Sequence, residues 1–205
     1  MARRVDHSHE ELKVMILEAA RQLVEQEGYS SLSMRKIGTA IGYSPGTIYN
    51  IFTNLDDLVL QLNARTLDEL YLSLMTTNKD GSVEDNFDRL MCGYLEFVEA
   101  KRNLWRTLFD HRPAMDCDLP DWYSVRVEKL LSLLDDTLRP YFEGKDPASL
   151  RKSSATLWAG LHGIVSLTDS NKLDVISDAS PLELCRLLVS QFLNGLKFSP
   201  LTREE

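Results

Sequence analysis

Long apolar runs are missing from this 205-residue chain. No stretch approaches the roughly 18 apolar residues that span a bilayer, so no membrane partner is expected. The opening residues, MARRVDHSHEEL, carry arginines and no apolar segment, which excludes a secretory signal. Cysteine is scarce: Cys92, Cys117 and Cys185 are odd in number and far apart. That pattern excludes a disulfide framework or a zinc finger and suits a reducing cytoplasm. Spacings that carry chemistry are absent as well. There is no H-E-x-x-H, Cys-x-x-Cys, glycine-rich phosphate loop or serine–histidine–aspartate set. His7 and His9 lie too close for an i, i+4 pair, and His111 with Cys117 in one loop supplies at most half a metal site. No cofactor, metal or catalytic group is expected, and so no enzyme.

Repeats, low-complexity tracts and strand-like alternation are also absent. What remains is helical spacing, interrupted by the few glycines and prolines, so the expected fold is all-α. Ser8 with Glu11 forms a capping box ahead of Leu12, Ile16, Ala19 and Leu23. This first helix should stop near Gly28. Ser33 caps a short second helix through Met34, Ile37 and Ile41, with Gly42 at the left-handed position that ends one. Ser44 and Pro45 then suit the N-cap and first turn of a third helix running to about Phe52. Asn54 and Asp57 cap a fourth that reads unbroken to about Thr77. Further helices are expected near 83–101, 103–111, 122–139, 148–169 and 181–197, with a loop at 111–121.

Charge is unevenly spread. The net charge of −8 lies entirely beyond residue 55; residues 1–55 hold six cations and six carboxylates. A neutral head on an acidic body permits nucleic-acid binding by the head without demanding it.

Helix, glycine turn, short helix is the arrangement of a helix-turn-helix. Ile48, Ile51 and Phe52 supply the stripe that anchors the short helix. Ser44, Pro45, Gly46 and Thr47 form a tip small enough for close approach to base edges. Arg35 and Lys36 stand in the first turn of the second helix, where cations oppose the helix dipole unless a phosphate binds there. Tyr49 lies on the outer face, and Arg3 and Arg4 look like a basic arm. Taken alone, the same residues also suit a solvated charged face and ordinary packing.

Residues 12–62, and above all SMRKIGTAIGYSPGTIYNIFTNLDDLVLQL (33–62), resemble the N-terminal domain of the tetracycline-repressor (TetR) family. The resemblance implies a three-helix head at 1–54, joined by the continuous fourth helix to a ligand-binding and dimerisation body at 55–205. It also implies a double-stranded DNA operator, a small-molecule effector and a homodimer. Residue by residue it points to Arg35, Lys36, Ser44, Thr47 and Tyr49 as DNA contacts, with Pro45 and Gly46 at the same tip. One position departs: the family's usual lysine is Leu55 here. Weaker salt-dependent binding follows, with Asn50 and Asn54 as candidate neutral donors.

LWAGLHGIVSL (157–167) resembles a subgroup of the family marked by a Trp…His-Gly pattern, matched by Trp158, His162 and Gly163. Trp158, Leu161, His162 and Val165 share a face, and Gly163 is expected to let a neighbouring helix close in. His162 suits either a core hydrogen bond or a ligand contact. Tyr94, Trp105, Phe109 and Trp122 join Trp158 and His162 as candidate cavity lining, although each also reads as plain core. The last helix is apolar on more than one face, so Leu188 and Phe192, with Leu161 and Val165, are candidates for a dimer interface. The sequence thus points to a cytoplasmic, ligand-responsive DNA-binding regulator, most simply a repressor. The alternative is a small-molecule sensor of the same fold with little DNA affinity.

Overall fold

The computed structural model describes residues 7–75, 81–112 and 119–198. Within them are nine α-helices and no strand: α1 (His9–Glu27), α2 (Met34–Ile41), α3 (Pro45–Tyr49), α4 (Leu55–Met75), α5 (Val83–Ala100), α6 (Arg102–Asp110), α7 (Asp121–Leu138), α8 (Pro147–Asp169) and α9 (Pro181–Phe198). The fold is all-α, as the spacing predicts. Short 3-10 turns at 29–31, 139–142 and 173–175 were not expected from the sequence. The expected arm at Arg3 and Arg4, the end of the fourth helix at Thr77, and Cys117 all lie outside the described residues.

Helix starts follow local hydrogen bonding. The Ser8 N–H donates to Glu11 Oε2 at 2.7 Å and the Glu11 N–H to Ser8 Oγ at 3.3 Å, closing the capping box of α1. Those bonds hold the Glu11 carboxyl below the usual carboxylate range. Ser180 and Glu183 repeat the motif at α9. Asp146 caps α8 through the Ala148 N–H, with Pro147 in the first turn. Asn54 caps α4 by accepting the Asp57 N–H at 2.8 Å.

Packing divides the chain into two compact units, Met1–Glu69 with Val98–Arg126 and Leu70–Phe97 with Val127–Glu205. Helix α4 contributes to both. The first unit's core joins Ile16, Ala20 and Val24 of α1 to Ile37, Ile48, Phe52 and Leu58, and Leu104 of α6 belongs to it as well. Polar ties accompany that packing. Asn103 donates to the Glu25 carbonyl at 2.9 Å and Asn63 to the Thr107 carbonyl at 3.3 Å. His111 Nε2, buried at the end of α6, lies 3.1 Å from Asp56 Oδ1 at the start of α4. The second unit packs α8 against α9 around Leu157, Leu161, Cys185 and Leu193.

No helix among the described residues is long and apolar enough to cross a membrane. No group of three His, Cys, Asp or Glu side chains among them is placed to hold a metal ion.

Candidate functional site

The turn between α2 and α3 is built by two glycines. Gly42 takes φ 74° and ψ 24°, the left-handed conformation that glycine adopts without a side-chain penalty. Beyond it the Tyr43 N–H bonds the Gly38 carbonyl at 2.9 Å and the Gly42 N–H bonds that of Thr39 at 3.4 Å. These two bonds satisfy carbonyls that the end of α2 would otherwise leave open. Gly38 has a different task. A Cβ there would stand 2.6 Å from the Tyr43 carbonyl oxygen, so only glycine lets the turn fold back this tightly.

Helix α3 is then held from one side. Ile48 and Phe52 are completely buried, and each contributes about 1.5–3 kcal/mol by leaving water. The helix is shorter than expected and ends at Tyr49, because the Ile51 and Phe52 amides both turn to the Ile48 carbonyl at 2.9 Å. Its other side faces solvent. Pro45, Gly46, Tyr49 and Asn50 are exposed, Tyr49 at 55%, with Ser44 and Asn54 exposed at either end. Ser44 Oγ accepts the Thr47 N–H at 3.2 Å and lies 3.0 Å from the Thr47 hydroxyl, so each orders the other.

Arg35 and Lys36 are exposed on α2. Lys36 is not idle: its ammonium donates to Glu27 Oε2 at 2.7 Å. Leu55 packs against the first unit's core rather than reaching outward. His7 Nδ1 lies 2.7 Å from the Tyr43 hydroxyl, tying the residues before α1 to the turn. Sequence reading missed Gly38 as a packing residue, although it sits in the quoted Ile-Gly-x-Ala-Ile-Gly run. It missed the Glu27 and His7 partners too, which no local periodicity marks.

The six candidate lining residues do not form one wall. Three meet in the second unit: Tyr94 and Trp158 rings are 5.2 Å apart, Trp158 stacks on His162 at 5.8 Å, and the Tyr94 hydroxyl lies 3.4 Å from His162 Nδ1. Burial lowers the His162 pKa from its ordinary 6.5 and favours the neutral ring, whose Nδ1 accepts from tyrosine in the Nε2–H tautomer. Trp105 and Phe109 pair within α6 in the first unit, 5.1 Å apart. Trp122, at the start of α7, lines a different cleft in that unit.

The expected dimer residues also separate. Leu161 and Val165 are 0% and 2% exposed, used up by packing inside the chain, and so offer no surface to a second copy. Leu188 and Phe192 on α9 are half-buried, beside the exposed Leu187. The close approach expected at Gly163 belongs to Gly160: its Cβ would meet Leu188 Cδ2 at 2.8 Å, whereas one on Gly163 meets nothing within 4 Å among the described residues.

Known proteins share this design. The profile of bacterial regulatory proteins of the tetR family matches residues 16–62, and that of the tetracyclin repressor-like C-terminal domain matches residues 87–192. An uncharacterized HTH-type transcriptional regulator of Mycobacterium tuberculosis is 24% identical over 162 residues, covering 78% of this chain and 72% of its own length. A TetR-family transcriptional regulator from Streptomyces coelicolor superposes with a TM-score of 0.64 at 21% identity, over 90% of this chain and 98% of its own. FadR from Bacillus subtilis, solved in complex with stearoyl-CoA, does so with a TM-score of 0.65 at 16% identity, over 89% and 98%. At such identities the structural likeness carries the fold alone. The two profile matches carry more: this chain belongs to the tetR family of helix-turn-helix transcriptional regulators.

Proposed function

We propose that this protein is a cytoplasmic repressor that binds a palindromic DNA operator as a homodimer and lets go when a small-molecule effector binds. The observation behind the reading is the two-sidedness of α3, buried through Ile48 and open through Pro45, Gly46, Tyr49 and Asn50. Ser44 and Thr47 stand at its tip toward base edges and phosphate, and Arg35 supplies charge to the backbone. Lys36 and Asn54 extend the same face. In this division residues 1–54 read DNA and residues 55–205 receive the effector and the second copy.

A twofold dimer sets its two recognition helices roughly 34–36 Å apart, or a multiple of that, to meet successive major grooves. The Tyr94–Trp158–His162 cluster is the candidate effector contact, and Leu187, Leu188 and Phe192 of α9 the candidate dimer surface. An effector shifts operator affinity only by its unequal affinity for the two states, typically about 1–3 kcal/mol.

The test is a gel shift on an operator selected from random-sequence DNA. Thr47→Ala and Arg35→Ala should each weaken binding about tenfold or more, and Arg35→Ala should flatten the salt dependence. Wild-type affinity in both variants would remove α3 from the groove. A flat selection at low salt would instead favour the second reading, a small-molecule sensor with little DNA affinity. The inward Leu55 and the Lys36–Glu27 pair are the observations on its side.

A further inference from the structure

A cleft of about 500 Å³ opens within the first unit among α1, α4 and the start of α7. Lys13, Arg65 and Arg126 line it, with Asp57, Asp68 and Trp122. Both carboxylates are already engaged. Asp68 accepts from Arg126 Nε at 3.0 Å, and Asp57 accepts the Thr53 N–H at 2.9 Å and the Gln61 amide at 2.8 Å. Arg126 is engaged as well, donating to the Trp122 carbonyl at 2.6 Å and lying 5.8 Å from the centre of that ring.

Lys13 and Arg65 differ. Both are partly buried, and their side chains have no hydrogen-bond or ion-pair partner among the described residues. A cation partly withdrawn from water without a counter-charge gains most when an anion arrives. Three cations against two carboxylates leave one positive charge, which a monoanion balances. A dianion would meet Asp57 and Asp68 with charge to spare. Trp122 is 40% exposed and offers an indole surface to a flat apolar body, and the volume lies within the range of small-molecule sites.

We propose that this cleft binds an aromatic monocarboxylate, its carboxylate held by Lys13 and Arg65 and its ring against Trp122. The site shares no residue with the Tyr94–Trp158–His162 cluster or with the exposed face of α3. It goes beyond the repressor reading and does not depend on it, because binding is measured without DNA.

The experiment is calorimetric titration of the full chain with naphthoate, naphthamide and a naphthalene dicarboxylate. Naphthoate should saturate one site per chain, and the neutral amide and the dianion should each bind at least about tenfold more weakly. Lys13→Gln, Arg65→Gln and Trp122→Ala should each cost about tenfold in naphthoate affinity, while His162→Ala should change nothing. Equal binding of acid and amide would overturn the proposal, and that arm uses only the wild-type chain. So would the absence of saturation at millimolar naphthoate, unchanged affinity in the folded Lys13 and Arg65 variants, or loss of binding in His162→Ala.

Discussion

Gly38 in the first unit and Gly160 in the second both sit where helices come close, yet what each one meets is different. At Gly38 a Cβ would run into the Tyr43 carbonyl, a backbone atom fixed by the hydrogen-bonded end of α2. At Gly160 it would meet Cδ2 of Leu188, the tip of a side chain with other rotamers available. The helix-turn-helix is thus set by main chain against main chain. The α8–α9 pairing is set by side chains that can give way. A surface that must match a groove gains from the first kind of contact; a body that must accommodate ligands and move gains from the second.

The sharpest way to break this contrast is to put alanine at both places. Gly38→Ala should cost about 1–3 kcal/mol, since the turn itself must open, and operator binding should fail with it. Gly160→Ala should be close to neutral. The shift of Leu188 is offset by the roughly 0.5–1 kcal/mol that alanine gains over glycine inside a helix. Thermal melts of the two variants decide the matter. Equal losses would mean that the two crossings are equally rigid.

A smaller effect separates the units by pH. Burial lowers the folded-state pKa of His162 below the ordinary 6.5. Above 6.5 the ring is neutral in both folded and unfolded chains, and its contribution is fully present. As pH falls below 6.5 the unfolded chain takes up the proton first, so stability is lost until the lower folded value is passed. His162→Phe keeps a ring against Trp158 and removes the titration. Its melting temperature should therefore fall less than that of the wild type when pH is lowered by about one unit from 6.5. An identical fall in both proteins would show that the Tyr94–Trp158–His162 cluster does not feel the proton.

What was legible in the sequence follows the range of the interaction. Caps at Ser8–Glu11, Ser44–Pro45, Asn54–Asp57, Asp146–Pro147 and Ser180–Glu183 are bonds between near neighbours, and they place the helix starts to within a residue or two. The left-handed Gly42 was legible for the same reason. Periodicity shows which face of a helix is apolar but not which neighbour covers it. Six aromatic and histidine residues that read as one cavity wall accordingly divide among a cluster in the second unit, a pair on α6 and a cleft beside α1 and α4. Leu161 and Val165 read as interface for want of a visible partner, and the chain itself covers them. Gly160 and Gly163 are indistinguishable until the position of Leu188 is known.

The least effect expected tests whether the charges of the first unit matter to the contrast at all. Lys36 and Glu27 are about half exposed, at 48% and 47%, and a surface pair of this kind contributes about 0–1 kcal/mol. Glu27→Gln should leave the melting temperature nearly unchanged. It should nevertheless tighten operator binding a few-fold and steepen its salt dependence, because Lys36 becomes available to phosphate and a repelling carboxylate is gone. Gel shifts across a salt series measure both quantities, with Lys36→Gln as the opposing control. If Lys36→Gln weakens binding while Glu27→Gln weakens it too, Glu27 holds the lysine in place for DNA instead of competing for it. The rigidity of this unit would then extend from its backbone to its surface charge.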